Sequence, residues 1–425
     1  MRVHVCRLLV RTEEQMASIT TCLEMHPRDA KWQRLPSVDV CQGSWADLSS
    51  VFASPWRHGW LARASKLQRR LAPSLFNSPI DQIYRAAATA SYKMSSKPDE
   101  KVYHDNGRFT RPDSTFRNFV SKDANSQFPA EAGRYALYIS PGCPWAHRTL
   151  IVRLLKGLES IIDVYQVHMT MGPDGWYFSG EGGSLPEDPL HGFKTLKQLY
   201  LKADPAYTGR YTVPVLWDKT ADVLVNNESS EIIRMMYTEF DHLLPEPLRE
   251  ANRPGGGLYP ARLRGDVDAL NDWVYHTVNN GVYKAGFART QASYDEHVGA
   301  LFASLDRLEA RLAAHGEPFL LGAHLTEADV RLYTTLARFD VAYHTVFMCN
   351  LKSVRHDYPR LHAWLRRLYW DRDEGGALRG AFHRTTAPYI GRYGHGYAHS
   401  RWKIVFGEAV PLVVPAGPAV LMEAL

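Results

Sequence analysis

The stretch YALYISPGCPWAHRTLIVRLLKGLE, residues 135–159, changes character in its middle. Up to Ser140 it is a short apolar run that reads as a buried strand. Beyond Pro144, Leu150, Ile151, Leu154, Leu155 and Leu158 form one helical stripe that closes near Gly157. Cys143 stands at the junction. A thiol reacts as its thiolate, and the free amides and macrodipole of a helix start favour that anion. Pro144 suits the first helical position, where its missing amide hydrogen costs nothing. Where a two-cysteine redox motif carries its second sulfur, this chain has Ala146. A mixed disulfide on Cys143 would therefore need an outside thiol to resolve it. The plain alternative is an ordinary buried cysteine, but the strand, Cys-Pro, helix setting upstream of TVPV favours the reactive reading.

The strand-like IIDVYQVHM follows directly, giving a strand, helix, strand unit, the minimal sign of a parallel sheet. An insert over residues 170–210 precedes two more strand-like runs, YTVPVLWD and DVLVNN, and then ESSEIIRMMYTEFDHLL, which opens with acid and hydroxyl groups as a helix start does. These elements define an α/β domain over 134–250. Past the Gly/Pro-rich RPGGGLYP the apolar spacing is helical throughout, and Thr326 with Asp329 has the spacing of a capping box. An all-α domain is expected over 258–395, with a tail at 396–425. Upstream, 79–133 is loop-rich and aromatic and is expected to wrap a neighbouring domain. Residues 1–78 read as an N-terminal extension, either disordered or a targeting segment.

Charge divides unevenly: residues 1–80 hold eleven Lys and Arg against six Asp and Glu, and the remainder holds thirty-nine of each. A neutral body argues against a nucleic-acid surface. The five cysteines lack the spacings of a zinc site or a disulfide scaffold, which favours a reducing compartment and no metal. Cys349, within TVFMCN, is read as structural, and Cys6, Cys22 and Cys41 fall in the extension. No apolar run reaches the roughly 20 residues that span a bilayer, so no membrane contact is expected. The location expected is cytoplasmic, or a mitochondrion or plastid if the extension is a transit peptide.

Two further segments bear on binding. Pro214 interrupts a strand-like run, where proline removes a ladder bond; either Val213-Pro214 is cis, turning backbone groups outward toward a peptide-like ligand, or this is a plain edge strand. Glu228 and Ser229 stand at a helix start, where amides and hydroxyl either hold a ligand carboxylate or simply cap the helix.

These residues together resemble the glutathione transferase superfamily. CPWAHRTLIVRLLKGLE, GRYTVPVLWD, NNESSEIIRM, VNNGVYKAGFA and LTEADVRLYTTLARFD are similar to its Xi class, the glutathionyl-hydroquinone reductases, across about residues 80–400. The resemblance implies a thioredoxin-like α/β N-terminal domain followed by an all-α C-terminal domain. It makes Cys143 the catalytic residue, with Trp176, Arg210, Val213, Glu228 and Ser229 binding glutathione as co-substrate. It also implies that Tyr275, Tyr393 and Tyr397 hold the quinol ring, although PYIGRYGHGYAHSRW departs from the family's usual C-terminal tyrosine motif. The activity implied is glutathione-dependent reduction of S-glutathionyl-hydroquinones by a homodimer. An Omega-like thiol transferase or dehydroascorbate reductase, and a non-catalytic glutathione-fold binding module, are the alternatives.

Overall fold

The structure is a computed structural model that describes residues 107–408 and 410–417 together with four short strands upstream. The chain divides into two units, Met1–Ser91 and Tyr92–Leu425. In the first, His4–Arg7, Thr21–Met25 and Trp32–Arg34 pair as an antiparallel sheet in that order. The rest of the expected extension, most of the wrapping segment up to residue 106, and residues 418–425 lie outside the described residues.

The second unit is built on the opening stretch. Strand β1 (Tyr135–Ile139) is fully buried along its length, which is why its sequence is apolar on both faces. Helix α1 (Pro144–Leu155) packs beside it and delivers the chain to β2 (Ile162–Gln166), parallel to β1 with Tyr135 opposite Ile162. Strand β3 (Val215–Asp218) pairs antiparallel on the other side of β1, and β4 (Val223–Asn226) pairs antiparallel with β3. The sheet order β2-β1-β3-β4 is therefore mixed. Only the βαβ part obeys the parallel expectation; β3 runs against β1, and the four-residue turn 219–222 reverses the chain again into β4. The insert is not structureless: it contains α2 (Leu196–Ala203), started by a capping box of Thr195 and Gln198. Helix α3 (Ser229–Thr238) closes the α/β part against α1.

The helical part opens with α4 (Arg264–Val274), passes through a π-turn at Tyr275–Asn279 into α5 (Gly281–Gly286), and returns along α6 (Gln291–His315), which ends at left-handed Gly316. Helix α7 (Glu327–Leu336) is organised by Asp329. Its buried carboxylate accepts from the amides of Thr326 and Leu320, the Thr326 hydroxyl and the Trp364 indole, all at 2.9–3.0 Å. One side chain thus caps α7 and ties it to α8 (Pro359–Trp370). Helices α9 (Ala381–Thr386) and α10 (Tyr393–Phe406) follow. The last of these crosses the boundary expected at residue 395, because Tyr393, Tyr397 and Ile404 bury one face of it where a tail was expected.

The two parts share one core. The fully buried carboxylate of Glu327 on α7 receives the Arg234 guanidinium of α3 at 2.9 and 3.0 Å, with Asn271 at 3.1 Å. Arg331 adds a second cation to the same carboxylate at 3.1 Å, so the buried charge of Glu327 is compensated from both parts of the core. Among the described residues no helix is long and apolar enough to cross a membrane.

Candidate active site

The turn Ser140–Cys143 ends β1 and begins α1. Cys143 is the N-cap residue, in extended backbone conformation, with Pro144 at the first helical position as the sequence suggested. Gly142 is required there: a Cβ would fall 2.5 Å from the Met169 carbonyl oxygen. Cys143 is half-buried, and its sulfur donates to the Val213 carbonyl at 3.4 Å. The Val213-Pro214 bond is cis, and β3 begins just after it, inside the sheet.

Burial pushes the Cys143 thiol above its ordinary value; the amides of Ala146 and Trp145 and the charges of Arg111 and Arg338 pull the other way. The expectation of a net thiolate-favouring helix start is therefore corrected: the favourable groups are present, but desolvation outweighs them in the free site.

A cavity of about 770 Å³ opens over Cys143. Its α/β wall carries Trp176, Arg210 and Val213. Three of the five residues expected to bind glutathione thus converge with Cys143. Glu228 and Ser229 do not line the cavity. Glu228 instead caps α3: its carboxylate accepts from the Ser230 amide at 3.0 Å, the Ser230 hydroxyl at 2.9 Å and the Ser114 hydroxyl at 3.1 Å. Burial alone would raise this group, yet the Ser230 contacts and the charges of Arg111 and Arg148 hold it below the usual carboxylate range. Arg111 and Arg148 each lie over the Trp145 ring, at 4.4 and 4.5 Å. Arg111 lines the cavity.

The helical wall is aromatic. Tyr283, Tyr393 and Tyr397 line it. Tyr397 is a junction: its hydroxyl donates to the Gly142 carbonyl at 3.3 Å, receives Tyr343 at 2.8 Å and lies 3.1 Å from Tyr283. Burial raises Tyr283, Tyr343 and Tyr397, so all three are neutral at physiological pH and act as hydroxyl donors rather than bases. Tyr283 and Cys143 line the same cavity, and a charge on Cys143 would raise Tyr283 further. Tyr393 is fully buried, pushed up to about 12 by burial, and its hydroxyl has no hydrogen-bond partner among the described residues. An orphan hydroxyl beside a cavity suits a ligand oxygen.

Tyr275, expected at the quinol site, is elsewhere. It sits on the π-turn, packs against Trp145 at 5.8 Å and does not line the cavity. Tyr283, eight positions later, occupies the wall instead. The motif VNNGVYKAGFA contained it; what the sequence could not show is the π-turn that rotates α5 relative to α4. Lys403 was also missed. From α10 it donates to the Gly172 carbonyl at 2.5 Å, tying the last helix to the insert that carries Trp176. Among the described residues no group of three His, Cys, Asp or Glu side chains is placed to hold a metal ion.

Two family models match: Glutathione S-transferase, N-terminal domain, over residues 142–239, and Glutathione S-transferase, C-terminal domain, over residues 291–367. The chain is 50% identical over 280 residues to Glutathione S-transferase omega-like 2 of Schizosaccharomyces pombe, covering 66% of this chain and 85% of that protein. The crystal structure of the glutathione-S-transferase Xi from Phanerochaete chrysosporium matches at 47% identity and a TM-score of 0.65, covering 73% of this chain and 98% of that one. The chain belongs to the Xi class of the glutathione transferase superfamily.

A further match is the Escherichia coli glutathionyl-hydroquinone reductase YqjG, 49% identical over 269 residues, 62% of this chain and 79% of that protein. Its glutathione-bound structure is 42% identical with a TM-score of 0.63, over 73% of this chain and 95% of that chain. The α/β part is accordingly the thioredoxin-like domain of this Xi-class chain and the helical part its C-terminal domain. The protein is an enzyme of the oxidoreductase or transferase kind.

Proposed function

We propose that this Xi-class transferase reduces S-glutathionyl-hydroquinones to hydroquinones. The observation that carries the reading is Cys143, with Ala146 where a resolving cysteine would stand, facing a wall of neutral tyrosine hydroxyls across one cavity. A sulfur with no internal partner suits a cycle in which glutathione itself closes the disulfide. A wall of phenol donors suits a product whose oxygen leaves as phenolate.

In the tautomer where the ring carbon bearing sulfur also carries hydrogen and the ring oxygen is a carbonyl, the Cys143 thiolate attacks the glutathione sulfur. The S–S bond forms and the C–S bond breaks. The released electron pair passes through the ring to oxygen, giving a hydroquinone phenolate that takes a proton. A second glutathione thiolate attacks the mixed disulfide, releasing glutathione disulfide and the Cys143 thiolate. The net change is one aryl carbon reduced and two glutathione sulfurs oxidised to a disulfide.

For glutathione, the Val213 backbone is assigned to the cysteinyl portion, and Trp176 and Arg210 to the cavity walls and a charge contact. The γ-glutamyl end is assigned to Glu228 and Ser229, reached past Arg111. Tyr283, Tyr393 and Tyr397 are assigned to the hydroquinone oxygens. Pairing into a homodimer is part of the proposal; a monomer mass by light scattering would remove it.

The Omega-like name of the fission-yeast relative favours a second reading, reduction of dehydroascorbate or of mixed disulfides through the same sulfur. One panel separates them: turnover of glutathionyl-menadiol, dehydroascorbate and a glutathione mixed disulfide by wild type and Cys143→Ser. The first reading expects the thioether to be the preferred substrate and one glutathione to be found on the Cys143 peptide during turnover. Thioether turnover retained by Cys143→Ser would sink it, and no glutathione binding by calorimetry would point to a binding module.

A further inference from the structure

We propose that Arg338 is the positioning cation of this site: its buried guanidinium fixes the Pro141–Gly142 turn beneath Cys143 and supplies the unmatched positive charge that supports the sulfur anion. The proposal rests on the reading of Cys143 as the reacting group.

Arg338 lies in the turn after α7 and is fully buried. Its Nη2 donates to the Pro141 carbonyl at 2.9 Å and its Nε to the Gly142 carbonyl at 3.4 Å, the two residues that precede Cys143. Its Nη1 donates to the Thr334 carbonyl at 2.7 Å and faces His147 Nδ1 at 3.0 Å. Because a guanidinium only donates, Nδ1 of His147 must accept, and its Nε2 then donates to the Thr385 hydroxyl at 2.9 Å. Burial and the Arg338 charge together hold His147 well below its ordinary value, so the imidazole is neutral. The Tyr393 ring covers the guanidinium face at 4.0 Å.

Every partner in that set is neutral. Among the described residues no carboxylate forms an ion pair with Arg338, whereas the buried Lys156 is paired with Asp241 and Glu250 and the part-exposed Arg234 with Glu327. A buried charge without a counter-ion is expensive. The anion that can match it forms in the cavity: first the Cys143 thiolate, then the hydroquinone phenolate. Arg338 also shares the Gly142 carbonyl with Tyr397, so the cation and the tyrosine wall hold the same turn.

The groups facing Cys143 from the packed elements are Arg111 before β1, Tyr283 from α5 and Tyr393 and Tyr397 from α10; the wider cavity adds Lys197, Arg210 and Lys403 against Asp174 and Glu408. Arg111 and Arg338 both lower the thiol against the upward push of burial. They differ in access to salt: Arg111 is half-buried at the cavity wall and Arg338 is sealed.

The test is the pH dependence of Cys143 alkylation by iodoacetamide, read on the Cys143 peptide by mass spectrometry so that other cysteines do not count. Arg338→Gln keeps amide donors and removes the charge; its midpoint should rise by about one pH unit, roughly tenfold less thiolate at a given pH below it. Arg338→Lys keeps the charge and loses the fork; its midpoint should stay near wild type while kcat for the thioether falls. Equal shifts in both variants, or none in Gln, would overturn the proposal, since a merely structural role predicts equality. A wild-type measurement decides if the Gln variant does not fold. The midpoint should hold between ~0.05 and ~0.5 M salt because a sealed charge is poorly screened; a clear rise with salt would assign the effect to Arg111 and overturn the proposal. If alkylation behaves as expected but no thioether is turned over, it is the substrate reading that fails and the Arg338 assignment that stands.

Discussion

Across the cavity, the two walls come from opposite kinds of information. On the α/β side, Cys143, Val213 and Trp176 are placed by short-range features: a strand end, a Pro at a helix start, a cis Val213-Pro214 bond, an insert. On the helical side, Tyr283, Tyr343, Tyr397 and Arg338 meet across separations of 54 to 197 residues, and each is placed by packing rather than by its neighbours in sequence. The first wall holds the atom that reacts, and the second sets the electrostatic conditions under which it reacts. If this division is right, changes on the first wall should abolish turnover and changes on the second should scale it.

The largest expected effect is on the first wall. Cys143→Ser removes the sulfur nucleophile, and thioether reduction should fall by at least about 10³-fold, the scale lost when a covalent nucleophile is deleted. Glutathione binding by calorimetry should survive. A fall of only tenfold would mean the second wall carries chemistry of its own, and the comparison would break.

Next come the hydroxyls. Tyr397→Phe removes a group that donates to Gly142 and receives Tyr343, so kcat should fall by roughly 10–100-fold, as when the placement of a reacting group is loosened by the loss of a supporting contact. The buried Tyr343 hydroxyl is also left without its acceptor, and the melting temperature should drop. Tyr393→Phe separates these two consequences. Its hydroxyl has no partner among the described residues, so thermal unfolding should not move downward while turnover of the thioether falls. Loss of stability without loss of turnover would show that Tyr393 packs and does not bind.

How much could be read in advance follows the same division. The βαβ start, the Cys-Pro junction and the Thr326–Asp329 capping box are local patterns with a local physical cause, and each stands in the structure. Tyr275 was the tyrosine expected at the cavity, and Tyr283 is the one that lines it; the five-residue π-turn Tyr275–Asn279 lies between α4 and α5, and nothing in YHTVN announces it. Glu228 and Ser229 were legible only as a choice between capping and binding; in the structure the Glu228 carboxylate caps α3, and the Ser229 hydroxyl donates to that carboxylate. Arg338 lay unnoticed inside LARFD, since an arginine in a helical segment reads as surface until the turn it grips, Pro141–Gly142, is brought to it by the fold.

The pH profile tests the boundary between the walls, because the sulfur belongs to one and the charges that govern it largely to the other. With the Cys143 thiol raised above its ordinary value by burial, the reactive anion is the minor form at neutral pH. Each unit of rising pH below the midpoint should then bring close to a tenfold gain in alkylation rate. A flat rate from pH 6 upward, roughly the behaviour of a thiol already ionised there, would show that the amides and arginines win over desolvation.

The smallest effect is expected at Lys403, where the two walls are joined. Its ammonium donates to the Gly172 carbonyl of the insert that also carries Trp176. Lys403→Met keeps the apolar stem and removes the donor. A partly exposed bond of this kind is worth about 1 kcal/mol or less, so the KM for glutathione should rise by no more than about fivefold. The value of kcat should hold, because Gly172 touches neither the sulfur nor the tyrosines. A drop in kcat at constant KM would mean that the link positions reacting groups, and the two walls would then have to be treated as one device rather than two.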